Sequence, residues 1–340
     1  MTHAPASPAP LPPGVLLEAV SPGLGKAGLG AAGLGKVGIV VVVPTFRRPA
    51  LLLRTLASLR AQDIGRPFAV IVVENDDETR AGLEAARPLF ETGALEGAVV
   101  VARERGNCSA YNAGFAAARR LFPGLAFALI VDDDEAAEPG WIAAHLAALD
   151  RLGVDITGGP QIPVFEEAGK QALARHPVFR PPFESSGPVA VLVSSGNVAM
   201  RAAVLERMGE PLFDTRFDFT GGGDADLFSR CREVGLRFGW CSEAIVHEVV
   251  PARRTEFSWI HARALRNGAL STLVQRGRDG RGRTLAKSLA LALAAPPRSL
   301  LLACRSRSLL IGLYHLQIAA GRLQGEFGRV GEQYRKPESN

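Results

Sequence analysis

The chain is short of the residues that build disulfide frameworks, zinc knuckles and base-stacking surfaces. Its four cysteines, Cys108, Cys231, Cys241 and Cys304, lie far apart in 340 residues. That spacing excludes a disulfide framework or a structural zinc site and fits a reducing compartment. Aromatic residues make up only 6%. A basic surface interleaved with stacking rings is therefore missing, and no nucleic-acid partner is expected. No basic segment followed by a long apolar run opens the chain, so no signal peptide is expected. No uninterrupted apolar stretch reaches the ~20 residues that span a bilayer.

What is present supports a folded enzyme-sized domain. Hydrophobic residues make up 47%, enough for a large core. The net charge of +5 is unevenly spread: residues 251–340 carry 16 Lys/Arg against five Asp/Glu. A basic C-terminal region on a mildly acidic body predicts an anionic surface as partner. Residues 1–36, rich in Ala, Pro and Gly, read as a flexible leader. Gly-Leu-Gly-Lys occurs in it twice, at 23–26 and 33–36. Neither is a phosphate loop, which follows a strand, opens a helix and places Ser or Thr after its lysine.

From Gly38 the pattern alternates. Buried-strand runs are expected at 38–43, 68–73, 98–101 and 127–131, with helices over 49–59, 78–90, 108–121 and 139–152. Alternating strands and helices imply right-handed βαβ units and a doubly wound, mostly parallel α/β sheet flanked by helices. The Pro-rich stretch 160–188 reads as a mobile loop over the site. A strand is expected over 189–200 and a helix over 257–275. After that come apolar blocks and arginines, with Pro296-Pro297 separating two helices. Arg298, Arg305 and Arg307 flank the apolar faces, which suits a helical amphipathic tail lying on a membrane surface. The expected organisation is a leader (1–36), an α/β domain (37–275) whose two parts meet between 150 and 151, and a tail (276–340).

The chemistry is concentrated where the fourth strand ends, at Asp132-Asp133-Asp134-Glu135. Ligands of such sheets bind beyond the carboxyl ends of the strands. Adjacent carboxylates repel, and protonation or a cation relieves that. Mg2+ or Mn2+, which take one or two carboxylates plus substrate phosphate oxygens, fit this set. Further candidates follow: Asp224 after a glycine run, His247 after a short strand, and Arg253 and Arg254. Each has a plainer alternative. Asp224 at a helix start is also a capping residue, His247 a structural histidine, and the two arginines the start of the basic region. Trp141 and Trp240 read as packing residues.

Taken in order, the motifs are 42-VVPTFRRP-49, 72-VVEND-76, 107-NCSAYNAG-114, 131-VDDDE-135 with 139-PGW-141, 222-GGDADL-227 and 246-VHEVVP-251. Over residues 38–275 this set resembles the inverting family 2 glycosyltransferases of GT-A fold, and among them the bacterial exopolysaccharide enzymes of succinoglycan type. The resemblance implies a nucleotide-sugar donor, a UDP-sugar in particular, held by Pro44, Thr45, Arg47, Glu74, Asn75, Asp76, Asn112, Asp132 and Asp133. Asp133 and Glu135 take supporting or solvated roles. Asp134 and Asp132, joined by His247, are the implied metal ligands, and Asp224 is the implied catalytic base. Asn75 replaces the acidic residue that reads the uracil edge, and Tyr111 an arginine common at its place. The implied acceptor is a glycan or a polyprenyl-diphosphate-linked saccharide, and the implied location is cytoplasmic, at the inner face of the plasma membrane. Two alternatives remain: a sugar-phosphate nucleotidyltransferase, against which the glycine-poor Pro44-Thr45-Phe46-Arg47 counts, and a non-catalytic membrane-surface protein that keeps the fold.

Overall fold

The structure, a computed structural model, describes residues 10–26 and 37–331. The first half carries β1 (Val15–Val20), α1 (Pro22–Lys26), β2 (Ile39–Thr45), α2 (Pro49–Arg60), β3 (Ala69–Glu74), α3 (Ala81–Glu91), β4 (Gly97–Ala102), α4 (Asn107–Leu121), β5 (Phe127–Val131), β6 (Glu135–Ala137) and α5 (Trp141–Leu152). The second half carries β7 (Ile156–Gly158), β8 (Gln161–Phe165), β9 (Gly187–Val189), β10 (Asn197–Arg201), α6 (Ala202–Met208), α7 (Gly223–Glu233), β11 (Phe238–Trp240), β12 (Val246–Val250), α8 (Phe257–Ser306), α9 (Leu309–Gly312) and α10 (Tyr314–Glu326). Nine strands form the main sheet in the order β1-β4-β3-β2-β5-β10-β7-β11-β9, and β6-β12-β8 form a small second sheet.

Strands β4, β3, β2 and β5 are parallel neighbours. Their β-branched residues alternate between two cores: Val40 and Val42 enter one, Ile39, Val41 and Val43 the other. Each fully buried aliphatic side chain contributes about 1.5–3 kcal/mol. Helix α4 lies so close to the sheet that a Cβ on Gly114 would stand 2.4 Å from Val42 Cγ1. The chain runs from β2 outward through β3 and β4, then returns to place β5 on the other side of β2. That reversal opens a crevice at the carboxyl ends of β2 and β5, where Thr45 and Asp132 stand.

Several expectations are corrected. Part of the expected leader is built into the domain: β1 pairs antiparallel with β4 and closes that edge of the sheet. Its residues alternate too weakly to stand out from Ala/Pro/Gly-rich neighbours. The first Gly-Leu-Gly-Lys falls within α1, and the second lies outside the described residues. Stretch 160–188 is not structureless. It holds β8, a 3-10 turn over Gln171–Arg175 and part of β9, and Phe179 stacks on Trp259 with ring centroids 6.0 Å apart.

The tail differs most. Helix α8 runs through Pro296 and Pro297 and is interrupted instead at Gly280 (φ 76°, ψ 166°). Both prolines are exposed, where carbonyls that lose their donors can meet solvent. Residues beyond 276 are no separate tail, because α10 folds back on the first half of α8. A Cβ on Gly321 would lie 1.9 Å from the Leu265 carbonyl oxygen, so the backbones touch. Buried Arg322 donates to Ser271 (2.8 Å), Gln275 (2.9 Å) and Ser288 (3.1 Å), tying the two halves of α8 to α10. On the outer face Leu285, Leu289, Leu293, Leu300, Leu301 and Leu309 are exposed. Although no uninterrupted apolar run exists, α8 contains an 18-residue stretch of mean hydropathy 1.2, only 17% buried, that is long and apolar enough to cross a membrane.

Candidate active site

One cleft of about 1190 Å³ opens at the crevice, lined by the ends of β2 and β5, segment 175–182, residues 191–196, the start of α7, and α8 and α10. Asp132, Asp133, Asp134 and Asp224 all line it. Two acid groups some 90 residues apart in sequence therefore face one space.

The acid turn is fixed from below. Thr55 on α2 donates to the carbonyls of Asp133 (2.9 Å) and Glu135 (2.6 Å), and Asp132 N–H donates to the Glu135 carboxylate at 3.1 Å. Buried Tyr111 donates its hydroxyl to Asp132. Thr45 donates to Asp133 at 2.8 Å. One nitrogen of Arg48 lies 3.1 Å from both Asp133 and Asp134. Arg254 lies 3.0 Å from Glu248 and 3.7 Å from Asp134. Burial, with repulsion from Asp134, raises Asp132 to about 7. Burial also raises Asp133, to about 6, against the pull of Arg48. Glu135, whose carboxylate accepts from Gln161, is pushed well above its ordinary range by burial. It is a buried support, not a solvated bystander.

Asp224 stands at the second residue of α7. The capping position is Gly222, in the left-handed region at φ 95°, so Asp224 is not the cap. Its carboxylate accepts from Ala225 N–H at 2.8 Å and lines the cleft. Burial raises its pKa, while the Ala225 N–H, Arg263 and Arg266 act the other way. A carboxylate moved towards neutrality in a cleft is suited to accept a proton.

The remaining sequence candidates divide. Pro44 and Thr45 line the cleft. Arg47 does not; it pairs with Asp76 at 2.7 Å and Glu78 at 2.8 Å. Asp76 is thereby taken up, and the Arg47 guanidinium holds its carboxyl below the usual range against the effect of burial. Glu74 is fully buried and accepts from the N–H groups of Gly82 (2.7 Å), Leu83 (3.1 Å) and Asp76 (2.9 Å), anchoring the start of α3. Asn75 lines the cleft, but its amide is occupied by the carbonyls of Ala102 (3.1 Å) and Glu104 (2.8 Å) and by Gly106 N–H (2.8 Å). Asn112 exchanges two 2.8 Å hydrogen bonds with the Phe213 backbone. Glu74, Asp76, Asn112 and Arg47 thus build the cleft from outside it.

His247 is not brought to the acid turn. Its Nε2 lies 3.1 Å from Glu138, and it is absent from the cleft lining. Strand alternation explains this: in β12, His247 and Glu248 point to opposite faces, and Glu248 takes the cleft side. Trp141 is fully buried, as expected, and donates to Asn197 at 2.8 Å. Trp240 is also buried, against Phe183, but borders the cleft. Arg254 lines the cleft whereas Arg253 does not. The sequence reading did not assign Glu248, Arg48 or the α8 arginines. For Glu248 the signal was its alternation with His247.

Among the described residues no three His, Cys, Asp or Glu side chains form a ready metal cage. The donor set still fits a hard cation completed by substrate. Asp132 and Asp134 offer oxygens alone, and Mg2+ or Mn2+ ordinarily takes few carboxylates and finishes its shell with phosphate and water.

The model of the family "Glycosyl transferase family 2" matches residues 40–209, half of the chain, and the chain belongs to that family. Among solved structures it is similar to a mannosyltransferase from Pyrobaculum calidifontis in complex with GDP-Man and Mn2+, with TM-score 0.50 and 20% identity, over 84% of this chain and 87% of that one. It is also similar to S. aureus TarS (TM-score 0.48, 17% identity, 88% of this chain). The chain spans 56% of the length of that TarS chain. A shorter TarS piece, residues 1–349, is in complex with UDP (TM-score 0.47, 16% identity, 89% of this chain and 98% of that one). No curated protein matches the chain. The fold is that of the GT-A glycosyltransferases, a mostly parallel sheet flanked by helices, with a long C-terminal helical region.

Proposed function

We propose that the protein is an inverting, metal-assisted glycosyltransferase that moves a sugar from a nucleotide donor to an acceptor hydroxyl. The carrying observation is the single cleft at the sheet's reversal point, which Asp132, Asp133, Asp134 and Asp224 all face. The nucleotide lies over Pro44 and Thr45, with its diphosphate towards Asp132 and Asp134. Those two carboxylates would hold Mg2+ or Mn2+, which when bound supplies Lewis-acid neutralisation of the departing diphosphate. Asp224 accepts the proton of the attacking hydroxyl as it bonds to the anomeric carbon. One displacement inverts that carbon. The bonds made by Tyr111, Thr45 and Thr55 hold the acid turn in place beforehand, which favours the transition state.

The donor we favour is a UDP-sugar. The acceptor is a glycan or a polyprenyl-diphosphate-linked saccharide in exopolysaccharide assembly of the succinoglycan kind, handled at the cytoplasmic face of the plasma membrane. Exposed leucines on α8 and α9, interspersed with Lys287, Arg298, Arg305 and Arg307, support docking on an anionic bilayer. The nucleotidyltransferase alternative has no glycine-rich loop after β2 to support it.

The test is incubation of the purified protein with a panel of nucleotide sugars and Mn2+ or Mg2+, reading release of nucleoside diphosphate. No release or transfer from any of them rejects the reading. For docking, Leu293→Glu with Leu300→Glu should leave the soluble fold intact and weaken binding to phosphatidylglycerol vesicles. Unchanged co-sedimentation rejects the membrane role.

A further inference from the structure

The segment 213–223, which delivers Asp224, is fastened at three points to one stretch of α4. At its start, Asn112 exchanges two 2.8 Å hydrogen bonds with the Phe213 backbone, and the Phe213 ring stacks on Tyr111. In its middle, buried Asp218 reaches the first turn of α4. Ser109 donates to this carboxylate twice, from its N–H at 2.8 Å and from its hydroxyl at 2.7 Å. At its end, a Cβ on Gly223 would stand 2.4 Å from Cys108 Sγ, so the residue before Asp224 touches the same turn. The N-cap of α4 is Gly106, which has no side chain to meet the first N–H groups of the helix. Asp218 supplies that acceptor from 109 residues away in sequence, and its negative charge suits a helix N-terminus. The fit is close: a Cβ on Gly106, at φ 149°, would lie 2.1 Å from the Asp218 carboxyl carbon.

Helix α4 also carries Tyr111, whose hydroxyl holds Asp132. The first turns of one helix therefore touch both parts of the cleft, the acid turn through Tyr111 and the Asp224 segment through Ser109 and Cys108. We propose that Asp218 is a positioning residue for the transfer: by closing the N-terminus of α4 it holds segment 213–223 against that helix and sets the place of the Asp224 carboxylate relative to the acid turn. Gly221 and Gly222, at φ 75° and 95°, turn the chain sharply between Asp218 and Asp224. Glycines permit such a turn without stiffening it, so the direction of Asp224 is left to the contacts at Asp218 and Gly223. A base acts only within hydrogen-bond reach of the hydroxyl it deprotonates, and a displacement of about 1 Å costs on the order of 10²-fold in rate.

The role of Asp218 rests on the glycosyltransferase reading, and a double-mutant cycle with Asp224→Asn separates the two. The readout is kcat for release of nucleoside diphosphate from the nucleotide sugar that the wild type turns over with Mn2+. It is expressed per folded site, counted by calorimetric titration with that nucleoside diphosphate and Mn2+. Asp218→Ala should lower kcat by about 10²-fold and leave the affinity in the titration within about twofold. In the Asp224→Asn background the same change should cost less than about threefold, because a residue that acts through the base has nothing to act on once the base is gone. If Asp218→Ala does not fold, Gly223→Ala takes its place in the cycle. It should lower kcat about tenfold or more, and adding Cys108→Ala, which removes the sulfur that the new methyl meets, should recover most of that loss. An unchanged kcat per site in Asp218→Ala, or an equal loss with and without Asp224→Asn, makes Asp218 a structural cap and overturns the proposal while the transferase reading stands. Failure of Cys108→Ala to restore Gly223→Ala overturns it in the second arm. A wild type that releases nothing from any nucleotide sugar overturns the transferase reading and the positioning role with it.

Discussion

Tyr111 donates its hydroxyl to Asp132 from a fully buried position. Its ring stacks on Phe213 with centroids 4.9 Å apart, so the side chain is held whether or not the hydroxyl is present. Tyr111→Phe should keep that stacking and leave Tm nearly unchanged. It should lower kcat/KM for donor by about tenfold, the scale of one hydrogen bond to a charged group. Steady-state kinetics beside a thermal melt checks this. A melt that falls with activity unchanged would make the hydroxyl purely structural.

Asp224→Asn removes the proton acceptor and keeps the shape of the side chain. Transfer should fall about 10²–10⁴-fold, the usual contribution of a general base, while nucleotide-sugar affinity by calorimetry stays within about twofold. In the wild type, burial raises the Asp224 pKa, so transfer should rise with pH as this carboxyl ionises. The residual activity of the variant should lack that acid limb.

The acid turn sets the sign of a pH effect on stability. Asp132 and Asp133 titrate near 7 and 6 in the fold, above the ordinary carboxyl value near 3.9 of the unfolded chain. Between those limits the folded state holds more protons than the unfolded one, so stability falls as pH rises. The contribution is fully present below about pH 4 and is lost by about pH 7 to 8. Melts in EDTA from pH 5 to 8 should show this decline in excess of an Asp132→Asn variant. Mn2+ should raise Tm more at pH 8 than at pH 5, because the cation competes with protons for the same oxygens.

Asn75 stands where the resemblance places an acidic residue that reads the uracil edge, and its amide is committed to the carbonyls of Ala102 and Glu104 and to the N–H of Gly106. Asn75→Ala should destabilise the fold by about 1–3 kcal/mol through the buried groups left unmet. The preference among UDP-, GDP- and TDP-sugars should not change. Denaturant melts and competition binding measure the two effects separately.

The central sheet was legible in the sequence because β-branched runs such as Ile39–Val43 have no other comfortable setting, and the acid turn was legible because four carboxylates follow one of them. What was not legible was direction. Glu74, Asn75, Asp76 and Asn112 stand at the expected strand and helix ends, but a residue at a strand end turns either into the cleft or back into the scaffold. Only the positions of Gly82, Gly106 and Phe213 decide which. His247 and Glu248 show the same limit, where one step along β12 exchanges the faces. The C-terminal region misled for a different reason: Pro296 and Pro297 suggest a break, while the contact between Gly321 and Leu265 that folds α10 back is a relation between distant residues.

Strand β1 has a practical consequence. A protein trimmed to begin at Val37, as the composition of the first 36 residues invites, would lose the partner of β4. The bared edge would present the backbone groups of Val99, Val100 and Val101 in a flat β-branched register. Such an edge recruits strands from other copies. The shortened chain would keep every residue of the cleft and would still be prone to precipitate, and its failure in solution would say nothing about its chemistry.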